Sequence, residues 1–347
     1  MIAVLKRGYR FLVTVPAARV VLQAIISLVV LGLLVSTAQR TNLVASLRTL
    51  QPGMVASAAA LLATGYVLNS HRWQLLLRNV GVYEGLGRLA ALYFIGQFFS
   101  LFLPTSAGGD AVRAYEVARR SRRTTQTIVA TLQERLIGLG ASLLIGLVAT
   151  LYYLPLVPAQ LRVWVMLIQI IGVTGVALLL YPAPIFATAG RIWRAQDNRT
   201  ALRQLVERPL VARVIGALQP IAALPPLTGL RLTRVLAVTI AAILLGIGMY
   251  YVLGLALQVQ TGFAAFCLVI PLVWIVRMLP VSLNGIGVGE GAFVFLMGLF
   301  AVPGGKALAL ALAVLALQTG CALFGGLLLA LRMARGTWVA TRRPAVE

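Results

Sequence analysis

Two groups of ionisable residues stand beside glycines at spacings that suit binding of an anion. The first is Gly108-Gly109-Asp110, with Ser106 just before it and Arg113 three residues beyond the acid. The second runs Asn284-Gly285-Ile286-Gly287-Val288-Gly289-Glu290, with Arg277 ahead of it. Each follows a Pro-X-Ser step, Pro104-Thr105-Ser106 or Pro280-Val281-Ser282, that interrupts a long apolar stretch. Arginine offers a planar fork that matches phosphate or carboxylate. Glycines let the backbone take turns closed to other residues, and a helix starting after such a turn presents unpaired N–H groups to an anion.

Each group also has a purely structural reading. Asp110 or Ser106 could cap the helix that follows, and Asp110 and Arg113, three apart, share one helix face, as do Glu116 and Arg120, four apart. Glu134 and Arg135 are adjacent, so they point to different sides of a helix and do not simply neutralise each other. Either could reach across to Arg113 or Asp110, as a cross-helix salt bridge or as a substrate contact. Arg277 and Glu290 could form a buried pair that only holds the fold. Alternatively, Arg277 takes a phosphate or polar headgroup while Glu290 tunes it or binds a cation or proton.

The rest of the chain tells where these groups must sit. Of 347 residues, 60% are hydrophobic and 11% charged, and the mean hydropathy is +0.95. That balance excludes a soluble domain and fits an all-α polytopic membrane protein. Apolar windows predict six full spans, near Val20–Thr37, Gly53–Leu76, Thr131–Tyr153, Val163–Tyr181, Val235–Leu257 and Ala307–Leu331. Two shorter stretches, Leu89–Leu103 and Phe263–Leu279, stop at the Pro-X-Ser breaks. Trp73, Trp164, Trp193 and Trp338 fall near span ends, as an aromatic belt would place them. Open backbone at bilayer depth is tolerated only where protein buries it or a wet cavity faces it, and charges at that depth mark substrate paths.

The net charge of +22 comes from 30 Lys+Arg against 8 Asp+Glu. Its basic clusters lie between apolar segments, which the positive-inside rule explains without nucleic acid. With the N-terminus in the cytoplasm, a full crossing at Leu89–Leu103 would put Arg113, Arg119, Arg120, Arg122 and Arg123 outside. A re-entrant broken hairpin at each break brings every cluster, and both termini, to the cytoplasmic side. The expected organisation is then a single transmembrane domain, 1–347, built as an inverted repeat. Its half-repeats are 1–160 and 161–335, and the second carries an interfacial loop at 182–234. Inverted repeats with discontinuous helices are a transporter design.

Cys267 and Cys321 form no ligand spacing, so neither a disulfide framework nor a metal site is expected. His71, beside Arg72 and Trp73 at a helix end, reads as an interfacial residue. No nucleophile–base pair, phosphate-binding loop or nucleotide motif is present in the sequence, so no cofactor is expected.

At these residues the chain is similar to the lysylphosphatidylglycerol synthase transmembrane (flippase-like) family. The resemblance rests on Phe99 through Arg113, with its Pro-X-Ser turn and Gly-Asp-X-X-Arg. It also rests on Glu134-Arg135-Leu136 and on Asn284-Gly-Ile-Gly-Val-Gly-Glu-Gly291. It implies a prokaryotic inner-membrane protein that moves a phospholipid or a lipid-linked headgroup between leaflets. Two-domain relatives add a cytosolic domain that attaches lysine to phosphatidylglycerol. This sequence ends at Glu347, soon after its last span, so synthase activity is not implied. Stand-alone relatives are linked to other lipids, including hopanoids and polyprenyl-linked sugars.

The expected partner is a membrane lipid with an anionic or lipid-linked headgroup, and a homo-oligomer is compatible with the reading. Its contacts are expected from Ser106, Gly108, Gly109, Asp110, Arg113, Glu134, Arg135, Arg277, Asn284, Gly285, Gly287, Gly289 and Glu290. Two rivals stand beside the flippase: an integral-membrane transferase acting on a headgroup through Asp110 and Glu290, and a non-transporting subunit of a cell-envelope complex.

Overall fold

A computed structural model describes residues 17–39, 50–103, 107–155, 157, 159–180 and 227–335. Among these residues the chain is helical without strands. In order come α1 (Ala17–Gln39), α2 (Pro52–Asn79), α3 (Leu86–Ser100), α4 (Ala107–Ser121) and α5 (Thr124–Tyr152). Then follow α6 (Ala159–Leu180), α7 (Gly229–Ala256), α8 (Phe263–Met278), α9 (Val288–Gly298) and α10 (Gly304–Ala334). By length and composition α2, α5, α7 and α10 can each cross a bilayer. These are four of the six expected spans. The other two coincide with α1 and α6, of 23 and 22 residues.

The outer surface fits that solvent. On α5, Leu144, Val148 and Leu151 are all at least half exposed and follow a helical spacing, and Leu323, Leu327 and Leu331 repeat the pattern on α10. Water would penalise apolar stripes of this size, whereas lipid chains accept them.

At the centre, α2 and α7 pack along each other. Both have 28 residues, and they meet at Gly65 and Ala242, the fourteenth residue of each. A methyl group on Gly65 would lie 3.9 Å from the Ala242 carbonyl, which is ordinary contact.

Two helical hairpins flank this pair. In the first, α3 and α4 fold back on each other, and their backbones touch where Gly96 meets Gly109. In the second, α8 folds back on α9 through a turn at Leu283–Gly285. With 15 residues each, α3 and α4 are about 22 Å long, too short to cross singly.

Long helices brace the hairpins from opposite sides. On α10, Gly325 packs its backbone against the Phe94 carbonyl and Ile95 amide of α3. On α5, Gly146 admits Pro271 of α8, whose Cβ would stand 3.2 Å from any side chain there. Pro271 removes one hydrogen bond from the interior of α8, and its ring fills the notch that Gly146 leaves.

The opened backbone of the second hairpin is met by α1. Gln23 donates its amide to the Pro280 carbonyl at 3.0 Å, and Ser27 accepts the Leu283 N–H at 2.9 Å. Both are buried. Asn284, Gly285 and Gly287 take positive φ of 50°, 74° and 87°, and a methyl on Gly287 would press on Ser27 and Val30 of α1. Protein therefore supplies the partners that lipid cannot.

Two expectations are corrected. Helix α7 starts at Gly229, ahead of the span expected from Val235, so Arg231 and Arg234 are helical; residues 182–226 of the expected interfacial loop lie outside the described residues. Trp73 is wholly buried and does not lie in an interfacial belt, because it packs against an arginine inside the protein. Trp164 is exposed, and Trp193 and Trp338 lie outside the described residues.

Candidate functional site

The hairpins and the central helix pair enclose a cavity of about 400 Å³. Asp110 and Arg113 line it from the first hairpin, and Arg277 and Asn284 from the second. Arg72 of α2 and Glu134 and Arg135 of α5 complete its charged wall.

On the first side the side chains form a bridged cluster. Glu134 is 1% exposed and accepts from two arginines at once: Arg72 at 3.0 Å on one oxygen and Arg113 on the other. Arg113 also donates to Asp110, from Nε at 3.1 Å, and the second oxygen of Asp110 takes Arg135 at 2.6 Å. The Arg113 guanidinium is stacked between the rings of Trp73 and Tyr93, 4.5 and 4.6 Å from their centroids. Such stacking favours a desolvated cation and fixes the plane of its fork. Trp73 is itself anchored through Nε1 to the Thr131 hydroxyl at 3.0 Å.

Three guanidinium groups thus face two carboxylates, leaving one positive charge in excess. Nη1 of Arg113 and Nε of Arg72 are buried with no hydrogen-bond partner. A buried charged donor left unpaired is costly.

The second side is electrically neutral. Arg277 pairs with Glu290 and donates from Nη1 to Gln318 at 3.2 Å. Glu290 is wholly buried, and its other oxygen accepts the Gly287 N–H at 2.6 Å, tying off the start of α9. Gly289 leaves room for the Arg277 side chain, and Gly285 for its Cα, 2.8 Å from where a methyl would stand.

With this geometry in place, the sequence can be compared with known proteins. Residues 20–325 match the family described as Lysylphosphatidylglycerol synthase TM region. The chain belongs to that family. It is accordingly a membrane protein, and the matched segment takes in both hairpins and the Glu134–Arg135 pair. A curated relative is Glycosyltransferase AglD of Haloferax volcanii, 30% identical over 351 residues. The alignment covers 89% of this chain and 54% of that protein, so the chain spans about half of its relative.

In this family member the residues singled out in the sequence are distributed unevenly. Asp110, Arg113, Glu134, Arg135, Arg277 and Asn284 line the cavity. Gly108 and Gly109 are buried where α4 begins, Gly109 against α3 and Gly108 against Leu103. Gly285, Gly289 and Glu290 adjoin Arg277, whereas Gly287 packs on Ser27 and Val30 of α1 and donates its N–H to Glu290. Ser106 lies outside the described residues. Both oxygens of Asp110 go to arginines, so it serves as a counter-ion. Glu116 lies on α4 away from this cluster, and Arg120 approaches Glu84 at 3.7 Å.

Arg72, Trp73, Tyr93, Gln97 and Gln318 were not foreseen, although all but Trp73 line the cavity. One sign of Arg72 was available. Leu75-Leu76-Leu77 follow it, so the helix runs on apolar beyond the arginine, which a cytoplasmic flag would not require.

Proposed function

We propose that this protein moves a phospholipid or lipid-linked headgroup between the leaflets of a prokaryotic inner membrane. The headgroup enters the cavity between the hairpins while the chains stay in lipid. The observation carrying this reading is that one cavity is lined by charged groups of both hairpins and keeps a positive excess. Arginine forks recognise the phosphate, and the hairpins, re-entrant from opposite faces, open in turn.

Internal symmetry supports the alternation. Helices α1–α5 and α6–α10 are two half-repeats of opposite orientation, each a helix, a long helix, a broken hairpin and a long helix. Their packing is reciprocal: α3 lies on α10 as α8 lies on α5, and Gly325 and Gly146 make the equivalent close approaches. The axis passes between Gly65 and Ala242. In this arrangement α1 and α6 also cross, giving six spans with both termini cytoplasmic.

A second reading has a specific observation behind it, the glycosyltransferase name of the relative. It suggests a lipid-linked sugar, as cargo or as the substrate of a headgroup transferase. Purified protein in phosphatidylcholine liposomes with fluorescent phosphatidylglycerol separates the two. Transport gives leaflet exchange with lipid masses unchanged; a transferase gives a new mass when donor is present. Arg277→Lys keeps the charge but loses the fork, and is expected to slow exchange about tenfold, about 1.4 kcal/mol, with the protein still eluting as one species. Exchange at the wild-type rate would remove Arg277 from the path.

A further inference from the structure

The three acids around the cavity differ in exposure. Glu134 and Glu290 are 1% and 0% exposed, whereas the side chain of Asp110, which shares the cavity wall with Glu134, is 24% exposed. Glu134 bridges Arg72 and Arg113 out of reach of solvent, and Glu290 holds Arg277 and the Gly287 amide. Asp110 instead faces the void, with one oxygen on Arg113 and the other on Arg135. Two oxygens on one atom, each accepting from a different guanidinium, is also the arrangement a phosphodiester would present.

Resting on the lipid-handling reading above, we propose that Asp110 is an internal stand-in for the ligand. It occupies the fork of Arg113 and Arg135 until the oxyanion of a phosphodiester headgroup takes its place. Three observations converge on this. The fork is already built, because Trp73 and Tyr93 clamp the Arg113 plane. The cluster keeps one positive charge in excess, which a monoanion balances and a pyrophosphate would overshoot. Arg113 also holds Nη1 without a partner, so an incoming oxygen gains a donor that Asp110 leaves unused.

The exchange has a mechanical consequence. Asp110 lies in the first turn of α4, and Arg135 on α5. While they are paired, Asp110 ties the start of α4, the second arm of the first hairpin, to a long helix. Once a headgroup takes the fork, that tie is released and the carboxylate turns to the cavity water. Ligand entry and hairpin movement are then one event, which keeps an empty site from cycling.

The test compares wild type with Asp110→Asn by thermal unfolding in detergent at fixed ionic strength. The probes are dimethyl phosphate, a soluble phosphodiester, and inorganic pyrophosphate. The lipid arm measures leaflet exchange of fluorescent phosphatidylglycerol in phosphatidylcholine liposomes. Wild type is expected to prefer dimethyl phosphate. Removing the competing carboxylate is expected to tighten dimethyl phosphate binding about tenfold, with a larger gain for the more highly charged pyrophosphate, and to slow lipid exchange. Glu116→Gln removes a charge from the same helix and is expected to change affinity less than about twofold.

Equal or weaker dimethyl phosphate binding by Asp110→Asn would overturn the proposal, as would an equal gain in Glu116→Gln. If Asp110→Asn fails to elute as the wild-type species while Asp110→Glu elutes normally, Asp110 is a structural counter-ion and the proposal falls. Tighter phosphodiester binding without lipid exchange in wild type leaves the stand-in role intact and removes transport. Exchange in wild type with no gain in Asp110→Asn does the reverse. Phosphodiester binding without any response to phosphatidylglycerol assigns the site to free phosphate esters, and still upholds the stand-in role.

Discussion

Glu134→Ala is expected to cost about 3–5 kcal/mol and to lower the unfolding midpoint well below that of the wild type. Glu134 is the shared counter-ion of Arg72 and Arg113, and all three are buried. Removing it leaves two guanidinium groups inside the protein with only Asp110 near one of them. The comparison is Glu84→Ala, where the acid is covered but its arginines, Arg88 and Arg120 at 3.8 and 3.7 Å, reach solvent at 24% and 66% exposure. Its loss leaves no buried guanidinium unpaired and should cost about 1 kcal/mol. Thermal unfolding of both variants in the same detergent checks the difference. Equal midpoints would mean that the cluster is hydrated and does not lock α2, α4 and α5 together.

Gly109→Ala is expected to be nearly as damaging, at about 3 kcal/mol, for a reason that is steric. Its methyl group would collide with the Gly96 carbonyl and lie 2.7 Å from the carbon of that carbonyl. Both are backbone atoms, so α3 and α4 must separate to make room, taking Asp110 and Arg113 out of line with α5. Gly87→Ala, on α3 of the same hairpin, meets no atom within 4 Å, so it should cost nothing or stabilise α3 slightly. The pair also separates packing from flexibility. If glycine serves here only to soften the chain, the two variants should behave alike; if it serves close approach, Gly109 alone is sensitive. Denaturation midpoints, read with leaflet exchange rates, decide between them.

Much of this was legible from residue order. The breaks at Pro104 and Pro280 were visible because proline, glycine and charge are all costly inside an apolar run, so their coincidence needs a reason. The reach of Glu134 and Arg135 toward Arg113 and Asp110 followed from adjacent residues pointing to different helix sides. The structure shows both contacts at once, crossed.

What stayed hidden depends on contacts between distant segments. Arg72 drew no notice as a site residue because hydropathy does not see Glu134, 62 residues away. Trp73 looked interfacial because its position near a span end is the same whether its ring faces lipid or an arginine. Gln23 and Ser27 gave no signal, since single polar residues on an apolar helix reveal nothing of the turn at Pro280 and Leu283 that they satisfy. The start of α7 was placed too late because Arg231 and Arg234 weaken the apolar window without interrupting the helix.

The central claim is that two hairpins from different halves of the chain build one site for an anionic lipid head. Native mass spectrometry of protein extracted in mild detergent tests it most directly, with Arg113→Gln and Arg277→Gln beside the wild type. The account predicts one retained anionic lipid on the wild type, and its loss when either arginine is changed. A lipid that stays bound through both substitutions, or one lost from only one of them, would contradict it.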